Sequence, residues 1–131
     1  MDYRLLGYLN VLIVGLLILP FILNRISRYL SAEAKAAMKD VTKFLRKLHK
    51  PLGIVFLATG LIHGYLALGG ISLHTGTLLY AAVIVQVGLG GAFYRTKKKG
   101  LFKAHRMMAF VIAGLLLLHY VAPGALYQLI R

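Results

Sequence analysis

With 131 residues, 60% of them apolar, and a mean hydropathy of +0.77, the chain is more apolar than a soluble domain of that size can bury. Yet 16 Lys and Arg against 3 Asp and Glu leave a net charge of +13. The composition excludes a soluble globular domain and reads as an integral membrane protein with its charge confined to loops. The absence of cysteine excludes disulfides, thiolate metal sites, cysteine-ligated iron–sulfur clusters and covalent c-type haem.

A helix needs about 20 residues to cross a hydrocarbon core of about 30 Å. The first uncharged run of that kind is Leu5 to Leu23. It is too long for a signal-peptide core, and Arg25 and Arg28 follow it as a stop-transfer flank would. The next run, Pro51 to Tyr94, holds 44 residues without Asp, Glu, Lys or Arg and is interrupted by Gly69-Gly70-Ile71-Ser72. That turn signal divides it into two spans joined by a tight hairpin. In the last run, Met107 to Ile130, Pro123-Gly124 ends the membrane helix and leaves a short tail. Four spans are expected, at roughly 5–24, 51–68, 75–94 and 105–121. All must be helical, because backbone polar groups in lipid need partners within the segment and four short strands cannot close a barrel. The fold class is all-α: a single transmembrane domain forming an integral membrane four-helix bundle.

Eight of the basic residues lie between Asn24 and Lys50 and six between Arg95 and Arg106, whereas the hairpin near Gly70 has none. By the positive-inside rule the two basic loops are cytoplasmic, and both termini and the hairpin face outward. A bacterial or archaeal cytoplasmic membrane is the expected location. Residues 31–48 read as a cytoplasmic basic amphipathic segment: Ser31 can cap it, and Ala34, Met38, Val41, Leu45 and Leu48 form a stripe opposite Lys35, Lys39, Lys43 and Lys47. Membrane lipid is its natural partner, although a solvated basic connector would look the same. Orientation accounts for the positive charge, so nucleic acid is not an expected partner.

Four of the five histidines fall in a repeated pattern. His49 and His63 are 14 residues apart on the second span, and His105 and His119 are 14 apart on the fourth. Fourteen helical residues rise about 21 Å and return to within roughly 40° of the starting direction, so each helix carries one imidazole near each membrane surface on one face. The second and fourth spans run parallel, which levels His49 with His105 on the inner side and His63 with His119 on the outer side. Two opposed neutral imidazoles with a flat macrocycle between them are the axial set of a six-coordinate b-type haem. A lone intramembrane histidine is as readily a packed residue bonded to a carbonyl. A repeated spacing on parallel helices is harder to explain that way.

Gly53, Gly60 and Gly64 fall near the histidine face of the second span and leave room for a ring. Lys47, Lys50, Lys103 and Arg106 bracket the inner histidines, where they could neutralise propionates or simply flank a cytoplasmic helix end. The two helices also form a weak repeat offset by 56 residues, in which Lys47-Leu48-His49-Lys50 matches Lys103-Ala104-His105-Arg106.

These paired histidines, with Phe102-Lys103-Ala104-His105-Arg106 and His119-Tyr120, resemble the ferric-reductase-like transmembrane domain and, more loosely, the dihaem membrane cytochrome b family. The resemblance covers roughly residues 45–121. It implies two non-covalent haems b, the inner on His49 and His105 and the outer on His63 and His119, passing electrons across the membrane. Members of the family commonly have six spans or a fused flavin and nicotinamide module. The four spans read here include no dinucleotide loop, since Gly88-Leu89-Gly90-Gly91 lies inside a membrane helix and reads as helix or haem packing.

The expected function is that of a dihaem b-type cytochrome carrying electrons between a quinol or redox-protein partner and an acceptor on the other side. It would be an electron-transfer protein or the haem subunit of a membrane oxidoreductase, with a quinone as a further candidate cofactor. His74, beside Thr75 and Thr77, could bond a quinone carbonyl, exchange a proton, serve as an alternative ligand to the outer haem, or be a wetted helix-start residue. Gln86 could bond a propionate, a neighbouring backbone group or a water. Two rivals remain. One is a His-based metal-ion binding or transport protein, which the lack of Asp and Glu in the spans disfavours. The other is a cofactor-free accessory membrane subunit.

Overall fold

A computed structural model of the chain describes residues 2–130. They form α1 (Tyr3–Ile26), a 3-10 turn at Ser27–Tyr29, α2 (Ala32–Leu68), α3 (Thr75–Thr96), α4 (Lys99–Val121) and the short α5 (Ala125–Ile130). Among the described residues there is no strand, and α1 to α4 are each long and apolar enough to cross a membrane. The protein is an all-helical membrane protein, as its composition requires. Large apolar side chains such as Leu5, Ile54 and Leu117 are exposed, the distribution expected where lipid is the solvent. The chain divides into two compact units, Met1–Gly60 and Leu61–Arg131, with the division falling within α2.

In the first unit, the Asp2 carboxylate caps α1 by accepting from the Arg4 N–H at 2.9 Å. Leu6, Asn10, Ile13 and Val14 recur at helical spacing on its buried face. Asn10 is only 7% exposed, and its Oδ1 lies 2.5 Å from the Thr59 hydroxyl of α2. In an apolar membrane span a buried amide needs such a partner, and small polar pairs of this kind hold neighbouring helices together. Ser31 caps α2 as its sequence suggests, its hydroxyl accepting from the Ala34 N–H at 3.4 Å.

From its sequence α2 reads as a surface segment at 31–48 followed by a separate span starting at Pro51. The structure joins them into one helix of 37 residues. Proline removes a single i to i−4 hydrogen bond and crowds one carbonyl, a cost of about 3 kcal/mol. Long helix-forming stretches on both sides of Pro51 carry the helix through it.

In the second unit, α2 ends at Leu68 with Gly69 at φ +64° and its N–H bonded to Tyr65 O at 2.9 Å. That left-handed cap suits glycine, which has no Cβ to clash there. Helices α3 and α4 pack against each other as an antiparallel hairpin, and α5 folds back onto α3. The turn between α3 and α4 is only Lys97 and Lys98. Lys97 takes φ 56°, donates its N–H to Phe93 O at 2.8 Å, and sets its ammonium 4.3 Å from the centre of the Tyr94 ring. A non-glycine residue in this region is strained, and the cation–π contact helps to offset it. Phe93 and Phe102 then meet directly above the turn, their rings 5.0 Å apart.

Candidate functional site

The α3–α4 hairpin keeps one register along its length. Gly76 stands opposite His119, Gly90 opposite His105, and Phe93 opposite Phe102, each pair equidistant from the turn. At both histidine levels the glycine provides a seat for the ring. A Cβ at Gly76 would meet His119 Cε1 at 3.0 Å, and one at Gly90 would meet His105 Cε1 at 3.0 Å.

Hydrogen bonds fix which nitrogen of each ring carries the proton. Thr75, 1% exposed, donates its hydroxyl proton to Pro123 O at 2.7 Å. A hydroxyl has one proton, so towards His119 Nδ1, 3.0 Å away, Thr75 Oγ1 can only accept. His119 therefore carries its proton on Nδ1, and in the neutral ring the lone pair sits on Nε2. His105 follows the same rule, because its Nδ1 lies 3.0 Å from the Gln86 carbonyl oxygen, which can only accept. The Gln86 side-chain nitrogen lies 3.5 Å from His105 Nε2, a long contact on the lone-pair side. Gln86 Oε1 is buried without a hydrogen-bond partner among the described residues.

Both imidazoles of α4 thus have Nδ1 tied to an oxygen acceptor and Nε2 as the basic nitrogen. This is the arrangement by which metal-binding histidines are oriented and made more basic.

His63, at the end of α2, is brought to His119. Their ring centroids are 6.3 Å apart with planes at 86°. Two imidazoles bonded to one metal from opposite sides, with metal–nitrogen bonds of about 2 Å, place their centroids roughly 6 Å apart. The separation of the two rings matches that of two imidazoles sharing one metal atom. His49 and His105, the other two, are half-buried; His49 lies in the first unit and His105 in the second. Among the described residues no three His, Cys, Asp or Glu side chains converge as they would around a bare metal ion.

His74 starts α3 without a side-chain capping bond and stacks on Tyr127 of α5, ring centroids 5.5 Å apart and planes within 7°. The Thr77 hydroxyl donates to Ser72 O and closes the turn that leads into the helix. His74 is thus packed against α5 rather than simply wetted at a helix start.

Sequence reasoning placed the histidines but gave no role to Thr75, Gly76 or Gly90 in seating them. A signal existed: Gly76 and Gly90 are 14 residues apart on α3, the same interval as His105 and His119 on α4. An antiparallel hairpin converts equal intervals into facing pairs. Gln86 acts on His105 mainly through its backbone, for which no side-chain signal exists.

Removing the Thr75 hydroxyl tests the tie to His119. Thr75→Val keeps the shape but leaves His119 Nδ1–H and Pro123 O without this partner, and is expected to destabilise the fold by about 1–3 kcal/mol. It should also weaken any metal centre on His119 by about 10- to 100-fold. Thermal unfolding and retention of bound haem through dialysis read the two effects separately.

No family model matches the chain, and neither a curated protein nor a solved structure matches it.

Proposed function

We propose that the protein is a membrane cytochrome b that holds haem between paired histidines and carries electrons across the bilayer. The observation that carries the reading is the pairing of His63 with His119 at 6.3 Å, with the lone pair of His119 held on Nε2 by the Thr75 contact. Haem bound there would supply a one-electron redox centre. The chain's own residues supply the rest. His63 and His119 would hold the haem iron through their ring nitrogens, while Thr75 fixes the His119 ring and Gly76 gives that ring its seat.

The second pair, His49 with His105, is proposed from the repeated 14-residue spacing and from the matching Nδ1 tie of His105 to the Gln86 carbonyl. The basic loops would lie on the cytoplasmic side of a bacterial or archaeal cytoplasmic membrane. Electrons would come from a quinol or a redox protein and leave to an acceptor across the membrane.

The test is a haem-to-protein ratio on detergent-purified protein by pyridine haemochrome, with a dithionite-reduced minus oxidised spectrum. A ratio of about two with a low-spin b-type spectrum is expected. Folded protein purified without haem, and unable to take it up, overturns the reading.

A further inference from the structure

The first unit contains a cavity of about 650 Å³ that the proposed electron transfer does not use. It opens between the end of α1, where Asn24 and Ser27 line it, and the first half of α2. Five cations line the α2 side: Lys35, Lys39, Lys43, Arg46 and Lys47. The chain's three carboxylates, Asp2, Glu33 and Asp40, are absent from the lining. Thr42, 4% exposed, contributes a buried polar residue to the wall.

Like charges repel, and five in one concavity without a carboxylate raise the local potential and attract an anion. Lysine ammonium groups and an arginine fork are the donors best suited to phosphate oxygens. Position adds the second half of the argument. Asn24 is the first residue after the apolar run of α1, so the cavity sits where a membrane span meets its polar boundary. Phospholipid headgroups occupy that depth, and basic residues beside a span recognise anionic ones.

We propose that this cavity binds a phosphate ester, supplied by the headgroup of an anionic phospholipid. Lys35, Lys39 and Arg46 lie within about 40° of one another on α2 and form the centre of the site.

The experiment is native mass spectrometry of the purified full chain titrated with phosphatidylglycerol or phosphatidylcholine, with parallel titrations of inorganic phosphate and glycerol 3-phosphate. Wild type should bind one phosphatidylglycerol at least about 10-fold more tightly than phosphatidylcholine. The Lys35→Gln/Lys39→Gln/Arg46→Gln variant should lose that preference. A Lys97→Gln/Lys98→Gln/Lys99→Gln variant, which removes equal charge outside the cavity, should keep it. Should the first triple variant not fold, Lys39→Gln alone should weaken the preference about fivefold. Equal loss in both triple variants would reduce the effect to general charge attraction and overturn the site. Saturation by the soluble phosphates with no preference among lipids overturns the lipid source, and binding of neither class overturns the proposal.

Discussion

Replacing His119 with alanine is expected to leave a folded protein that holds about one haem in place of about two. The fold should survive because the contact that anchors the start of α3 to the turn after α4 does not need the imidazole. The Thr75 hydroxyl donates to Pro123 O whether or not His119 is present. The variant opens a space where the ring stood and leaves Thr75 Oγ1 with one fewer hydrogen-bonding neighbour, a cost of about 1–3 kcal/mol. His63 would face that space alone, and one axial histidine does not make a low-spin six-coordinate centre. The remaining spectrum should belong to the pair at the other level. His63→Ala should reproduce the loss if both residues hold one iron as proposed, whereas His105→Ala should remove the other signal. If His119→Ala and His105→Ala each abolish both haems equally in folded protein, the assignment of ligands level by level is wrong.

Gly90→Val should have the second largest effect, through overpacking rather than the loss of a ligand. A Cβ at residue 90 would lie 3.0 Å from His105 Cε1 and 3.2 Å from its Nδ1, tight enough that the ring must give by a few tenths of an ångström, and the two further methyl groups of valine add to the crowding. The ring cannot swing aside freely, because Nδ1 is bonded to the Gln86 carbonyl at 3.0 Å. Either that bond breaks or the helices separate, at a cost of about 1–3 kcal/mol. On the proposed assignment, a displaced His105 should release the haem at its level while the signal assigned to His63 and His119 is kept. Gly91→Ala provides the contrast, since a Cβ there meets nothing within 4 Å and alanine favours helix over glycine. That variant should match or exceed wild type in melting temperature and keep its full haem content. Equal behaviour of Gly90→Val and Gly91→Ala would mean that the glycine seat has no bearing on His105.

The spans and the hairpin at Gly69-Gly70 were legible because lipid imposes them: charge cannot be hidden in the spans and a left-handed cap favours glycine. The histidine spacing was legible as well, and the structure sets the rings of His63 and His119 6.3 Å apart. The union of residues 31–48 with the following span in one helix was not legible, because a proline at the edge of an apolar run looks the same whether it starts a helix or lies within one. The tie between Thr75 and His119 was hidden for another reason. It depends on Pro123 O taking the only hydroxyl proton, and that contact spans 48 residues. The packing of His74 on Tyr127 was equally hidden, since it requires α5 to fold back after Pro123-Gly124.

The two-residue turn at Lys97–Lys98 sets more than the end of a hairpin. Both ring seats are measured from it, so one inserted residue would rotate all of α4 by about 100° relative to α3. His105 and His119 would leave Gly90 and Gly76 in the same step, with no residue in either seat altered. Homologous chains should therefore vary the identity of the turn residues far more freely than their number, and a change of turn length should be found only where both glycines have been replaced.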